Sequence, residues 1–237
     1  MKNGREKIDC LILIPARGGS KGISEKNMAL LGGKPLVEFT IEAAINAKLP
    51  GRICLSTDDQ KIRDFALSFP IEAPFLRPAE LAQDDSDSLS VINHALDWYD
   101  GNYCFSPEFL VLLQPTCPLR NSETVIDAYK SIIATKAKTL MTVNPVKEHP
   151  CKLIMRGKRG YKFVLKPPRN PQRQNFPEVL AINGAIHIAR VSHLKKTGNL
   201  YDNATQLYIM NRLESTDIDE PDDLEYANWI YENKITE

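Results

Sequence analysis

The residues with the clearest capacity for chemistry lie near the start of the chain, in Ile14-Pro-Ala-Arg-Gly-Gly-Ser-Lys-Gly-Ile23, followed by Lys26 and Asn27. An apolar run, Cys10–Ile14, precedes this loop. That puts the loop at the carboxyl end of a strand, where open α/β sheets bind ligands. Gly18, Gly19 and Gly22 let the backbone approach a ligand and turn its N–H groups toward an anion. Arg17, Ser20, Lys21 and Lys26 add donors suited to a polyphosphate. The spacing fits neither G-x-x-x-x-G-K-[ST] nor G-x-G-x-x-G. The plainer alternative is a surface turn with stray cations.

Leu112-Leu-Gln-Pro-Thr-Cys-Pro-Leu-Arg120 is the second such segment. Pro115 and Pro118 stiffen it, and Gln114 and Arg120 fall beyond the strand end, where polar groups can face a ligand. A rigid strand-to-helix connector would read the same way. The third segment is Asp217-Ile-Asp219. In an extended chain the two carboxylates share a side while Ile218 faces the core. Near bound phosphates they can share a hard cation such as Mg²⁺. Alone, the same acids would read as helix caps before Pro221; a phosphate loop beside them favours the metal. His94 falls in an amphipathic helix as a structural residue, and His149 and His193 prompt no catalytic role. No Ser/His/Asp nucleophile set can be assembled. Lys158, Arg159 and Lys162, with Tyr161 and Phe163 between them, are too few for a nucleic-acid surface.

The elements that must position these groups follow from apolar periodicity. Strands are expected at Cys10–Ile14, Ile53–Thr57, Ile71–Leu76, Phe109–Gln114, Thr139–Val143, Ala185–Ala189 and Gln206–Met210. Helices are expected at Leu36–Leu49, after a cap at Asp58 or Asp59, at Ser86–Tyr99, at Ser122–Thr135, and from Pro221 to about Asn233. The βαβα alternation predicts an α/β fold with a mostly parallel sheet covered on both faces. The rhythm breaks at Asn144. Cys151–Arg156 and Tyr161–Leu165 flank Gly157-Lys-Arg-Gly160 as an antiparallel hairpin, and a Pro-rich connector follows. Residues 144–180 therefore read as a small arm inserted into an α/β domain formed by 1–143 and 181–237.

The chain has 237 residues, with 30 Lys+Arg balancing 30 Asp+Glu; 43% of residues are hydrophobic and 25% charged. This composition excludes disordered, collagen-like and disulfide-knot classes. The balance hides local separation: residues 147–173 carry a net charge of +8 and residues 214–237 a net charge of −8. Zero net charge provides no global field toward nucleic acid or anionic membrane. No apolar run approaches the roughly 20 residues of a membrane span, and the charged N-terminus does not resemble a signal peptide. Five scattered cysteines without a C-x-x-C read as reduced thiols in a cytoplasmic protein.

Taken together, the motifs resemble the CMP-sialic acid synthetases (N-acylneuraminate cytidylyltransferases), including bacterial enzymes acting on legionaminic acid. The resemblance runs in order through Ile14–Gly22 with Lys26-Asn27, Ser56-Thr-Asp58, Leu76-Arg-Pro-Ala-Glu-Leu81, Leu113–Thr116 with Pro118-Leu-Arg120, Arg173-Gln174, Asn183-Gly-Ala-Ile186 and Asp217-Ile-Asp219. It implies a three-layer sheet of the nucleotide-diphospho-sugar transferase type. It also implies that CTP and a nonulosonic acid give the CMP-sugar and pyrophosphate. Ala16, Arg17, Gly18, Ser20, Lys21, Lys26, Asn27 and Arg77 would bind the nucleotide. Gln114, Lys152, Arg173, Asn183 and His187 would bind the sugar. Asp217 and Asp219 would hold Mg²⁺ or Mn²⁺, and Arg17 and Lys21 would join them in catalysis. The arm would make a homodimer, reaching into the neighbouring subunit's sugar site. Two departures stand out: His187 where many sialic acid members have Tyr, and Cys117 in place of the usual Ser. The remaining alternatives are a cytidylyltransferase for pseudaminate or 3-deoxy-manno-octulosonate, and a non-catalytic nucleotide-binding protein on the same fold.

Overall fold

The computed structural model describes residues 9–83, 86–158, 160–170 and 172–233. In chain order the elements are β1 (Cys10–Pro15), β2 (Leu30–Leu31), β3 (Lys34–Pro35), α1 (Leu36–Ala47), β4 (Gly51–Ser56), α2 (Gln60–Ala66), α3 (Ser88–Tyr103), β5 (Phe109–Leu113) and α4 (Ser122–Thr135). They continue with β6 (Thr139–Pro145), β7 (Ile154–Gly157), β8 (Gly160–Phe163), β9 (Leu180–Arg190), α5 (Val191–Thr197), β10 (Gln206–Ile209) and α6 (Pro221–Glu232).

Six strands form one sheet in the order β10-β6-β9-β5-β1-β4. Strand β1 runs parallel to β4 and β5, and β10 runs parallel to β6. Only β9 runs against its neighbours, β5 and β6. The expected mostly parallel sheet is therefore present, with one reversed strand.

Burial on both faces explains the continuous apolar runs. Along β1, Cys10, Ile12 and Ile14 join the core beneath α1 and α4, while Leu11 and Leu13 join the core beneath α3 and α5. Strand β5 divides the same way, Phe109, Val111 and Leu113 against Leu110 and Leu112. Helix starts follow side-chain caps: Asp59 accepts from the Lys61 and Ile62 amides, Asp87 from Ser90 and Asn121 from Thr124.

Three expectations need correction. Residues 71–76 make only two isolated bridges, Cys54 with Glu72 and Thr57 with Leu76. Pro74 has no N–H to extend that ladder. Strand β9 is longer than Ala185–Ala189, because it continues through an irregularity where Gly184 has φ +69°. Helix α5 was not anticipated. It follows β9 directly with no side-chain cap, and buries only Val191 and Leu194. The arm's hairpin pairs Ile154–Gly157 with Gly160–Phe163 as a separate two-stranded sheet. The main sheet holds on to Pro145 and resumes at Leu180.

A candidate nucleotide and sugar site at the carboxyl edge

The loops after β1 and β5 meet Arg77 and the approach to α3 at one edge of the sheet, around a cavity of ≈ 330 Å³. Arg17, Ser20, Lys26, Asn27, Arg77 and Gln114 all line it. Six candidates from three separate segments thus share one space. The cavity also takes Gln83, Ser86 and Ser88 from the approach to α3, which the motif reading passed over. Their only sequence signal was the polar Ser86-Asp-Ser88 at a helix start.

The first loop is held by its own protein neighbours. The Gly18 N–H donates to Asp58 Oδ1 at 3.0 Å, and Asn27 Nδ2 donates to the Arg17 carbonyl at 2.8 Å. The Ala16 N–H is committed to the Ser56 carbonyl at 2.9 Å, and its side chain is buried. A Cβ at Gly18 would lie 2.8 Å from the Asp59 Cβ, and one at Gly22 would lie 2.2 Å from the Asp219 carbonyl. Those glycines are required by packing between loops. Gly19 has open space and lines the cavity, so the close-approach argument for a ligand applies to it alone. Lys21 is exposed and outside the lining residues.

The acidic pair stands at the rim. Ile218 is fully buried in a small apolar cluster with Leu31, Leu36 and Ala227, leaving Asp217 and Asp219 on the exposed side. The Ile218 N–H donates to the Thr116 carbonyl at 2.8 Å, tying this segment to the loop after β5. Lys26 Nζ reaches the Ile218 carbonyl and Asp219 Oδ1, each at 3.0 Å. Loss of hydration pushes the Asp217 carboxyl up from its ordinary range, with the Asp219 charge adding to this; a Thr116 hydrogen bond and Lys26 oppose it. Cys117 Sγ donates to the Asn183 carbonyl at 3.0 Å and lies 3.7 Å from Asp217 Oδ1. Burial holds this thiol protonated.

Arg77 lines the cavity from below. Its guanidinium donates to Ser56 Oγ at 3.1 Å, to the Ser56 carbonyl, and to the Leu81 carbonyl at 3.3 Å. Gln114 packs over Gly184, where an added Cβ would fall 2.7 Å from Gln114 Oε1. This contact joins two motifs that are 70 residues apart in the numbering. Arg120 does not face a ligand. It is buried, donating to the Gln114 and Ala185 carbonyls at 3.1 and 2.7 Å and to Thr40 Oγ1 at 2.8 Å.

Of the remaining sugar candidates, Asn183, His187 and Lys152 stand outside the cavity's lining. Asn183 is turned inward, with Oδ1 accepting from Thr142 Oγ1 at 2.7 Å and the Ala185 amide at 3.1 Å. His187 is buried beside Leu112, its register partner on β5, and its ring stacks on Tyr201 with centroids 6.0 Å apart. Burial pushes its pKa down to about 4. Lys152 ends a short 3-10 turn on the exposed arm. The Arg173 side chain and Arg159 lie outside the described residues. No cluster of three or more His, Cys, Asp or Glu suited to a metal occurs among the described residues.

This edge gathers the basic loop, Gln114 and, through Lys26, the acidic segment. A family model described as "Cytidylyltransferase" matches residues 11–236. The chain belongs to the cytidylyltransferase family. The N-acylneuraminate cytidylyltransferase of Escherichia coli is 33% identical over 94% of this chain, which spans 52% of that protein's length. The CMP-N,N'-diacetyllegionaminic acid synthase of Legionella pneumophila is also 33% identical, over 96% of both chains. A solved CMP:2-keto-3-deoxy-manno-octonic acid synthetase complexed with CTP superposes with a TM-score of 0.68 over 96% of this chain and 100% of that one. At 16% identity this last likeness speaks for the fold. No helix among the described residues is long and apolar enough to cross a membrane.

Proposed function

We propose that this cytidylyltransferase joins CTP to an acidic nine-carbon sugar of the N-acetylneuraminic or legionaminic type, releasing pyrophosphate. The observation that carries the reading is the Lys26 bridge. It brings the polyphosphate loop and the acidic pair to one edge of a cavity whose other wall holds Gln114. The names of the two relatives support the sugar class.

In the reaction the anomeric oxygen forms a bond to the α-phosphorus as the bond to the pyrophosphate oxygen breaks. Such a transfer needs in-line placement and charge neutralisation more than a covalent intermediate. Arg17 and Lys26 face the cavity to hold the triphosphate, and Lys21 stands at the loop's outer edge for the departing pyrophosphate. Arg77 closes the base end, and Gln114 orients the sugar. Asp217 and Asp219 are two hard oxygen donors on one side of an extended segment, which fits Mg²⁺ or Mn²⁺. When bound there, the ion would neutralise phosphate charge and lower the pKa of the sugar hydroxyl.

The same reading includes a cytoplasmic homodimer with shared sugar sites. Ile154, Met155, Tyr161 and Phe163 on the arm's hairpin are all exposed. A two-stranded sheet cannot bury such side chains by itself. A second chain covering them would bring Lys152 and Arg173 toward its sugar pocket. The test is pyrophosphate release from CTP with a panel of N-acetylneuraminate, N,N'-diacetyllegionaminate, a pseudaminate and 3-deoxy-manno-octulosonate. Turnover is expected with one of the first two and not with ATP or UTP. Release with none of the sugars, despite CTP binding, would favour a non-catalytic protein.

A further inference from the structure

Strand β9 carries surplus chain where it passes Gln114. Between Met141 and Val143 strand β6 takes two steps, while the paired residues on β9 run from His187 to Ile182, five steps. The excess forms a bulge at Asn183-Gly-Ala185, in which Gly184 has φ +69°, the left-handed region that glycine enters at no steric cost. Both flanks of the bulge are pinned. The Thr142 hydroxyl donates to Asn183 Oδ1 at 2.7 Å and accepts from the Ile186 N–H at 2.9 Å. Asn183 Oδ1 also accepts from the Ala185 N–H at 3.1 Å. From the loop after β5, Cys117 Sγ donates to the Asn183 carbonyl at 3.0 Å and Arg120 to the Ala185 carbonyl at 2.7 Å. Arg120 also donates to the Gln114 carbonyl at 3.1 Å, so one buried guanidinium ties the backbone of Gln114 to the bulge.

The Gln114 amide lies on Gly184. A Cβ added there would stand 2.7 Å from Gln114 Oε1 and 3.4 Å from Cδ. The bulge is hydrogen-bonded on both sides, whereas the amide is the far end of a flexible side chain, so the amide is the part that gives way. We propose that Gly184 is a positioning residue for the sugar step: its missing side chain leaves the seat from which the Gln114 amide faces the cavity. The kinetic consequence rests on the reading of Gln114 as the group that orients the sugar; the seating of the amide does not.

The test uses Gly184→Ala and Gly184→Asn in the full chain. Both add the same Cβ, and asparagine tolerates positive φ better, so it carries the test if the alanine variant does not fold. With isotope-labelled glutamine, the Gln114 side-chain amide signal in an NMR spectrum is identified by its loss in Gln114→Ala. It should move in both Gly184 variants, while the signals of Gln60 and Gln206, bonded to Asp64 and Ser131, hold. In pyrophosphate release at saturating CTP, kcat/KM for the sugar should fall about tenfold, as loss of one well-placed hydrogen bond does. CTP affinity, titrated without sugar, should stay within about twofold, and in a Gln114→Ala background Gly184→Ala should cost less than about twofold more, because the group it displaces is already gone. A stationary Gln114 signal overturns the proposal. So does a loss that persists in full in the Gln114→Ala background, a CTP affinity that falls as far as the sugar kcat/KM, or a displaced signal with sugar kinetics unaltered. A wild-type chain that releases no pyrophosphate with any sugar sinks the proposed reaction instead, and the Gln114 signal still decides whether Gly184 seats the amide.

Discussion

Lys26 holds two segments together that are 193 positions apart, through Asp219 Oδ1 and the Ile218 carbonyl. Asp219 is otherwise well exposed, so its replacement should cost little stability. Asp219→Ala is expected to lose at least about a hundredfold in turnover, with CTP binding weakened but present and the melting temperature nearly unchanged. Near-full activity at limiting Mg²⁺ would show that the pair does not serve the chemistry. His187 supports a second prediction. Its folded pKa is about 4, lowered by burial from 6.5. Between those values the unfolded chain binds the extra proton, so stability rises with pH there and falls as pH drops from about 6.5 to 4. The full contribution is about 3 kcal/mol. Urea midpoints of wild type and His187→Phe should converge less at pH 7 than at pH 4, where the variant keeps more of its neutral-pH stability. Parallel pH profiles would contradict a neutral buried imidazole.

The loop at residues 16–27 works because other elements crowd it into shape. Asp58 and Asp59 follow β4 and close on Gly18, while the segment before α6 closes on Gly22. In Gly22→Ala the new Cβ would meet a backbone carbonyl at 2.2 Å, which cannot swing away as a side-chain end could. The loop and the acidic pair should separate by several tenths of an ångström or more. Turnover should fall about a hundredfold, since misplacement of about 1 Å carries that cost, while the melting temperature changes by only a few degrees. Gly19→Ala, with open space around it, should fold normally and affect CTP binding alone. If the two variants behave alike, loop packing is not what makes Gly22 necessary.

For the molecule as a whole, the proposed dimer turns on the arm. Its hairpin exposes Ile154, Met155, Tyr161 and Phe163, and residues 147–173 carry a net charge of +8. If two chains share their sites, Asp219→Ala and Arg173→Ala, each inactive alone, should complement one another on co-expression. Half of the dimers are mixed and one of their two sites is whole, so about a quarter of wild-type activity should return. With mixed dimers confirmed by differential tags, a silent mixture would mean that each arm serves its own chain.

Local pattern was enough for most of the frame. Apolar runs placed β1 and β5, because both faces of a parallel strand are buried, and the Asp58-Asp59 pair marked a helix start, where the Asp59 side chain takes the free amides. Two features escaped it for the same reason. Residues 71–76 have strand composition, but Pro74 and distance from the ladder leave only bridges, and α5 is stabilised by what Val191 and Leu194 touch, not by any cap. The motifs themselves were readable in the chain, as was the alternation that buries Ile218 and exposes Asp217 and Asp219. Which way each group turns was not. Arg17 and Gln114 face the cavity, whereas Arg120 is drawn inward by the Gln114 and Ala185 carbonyls and Asn183 by Thr142. Partners brought together only by the closed sheet decide those orientations, because a buried polar group goes wherever its hydrogen bonds can be met.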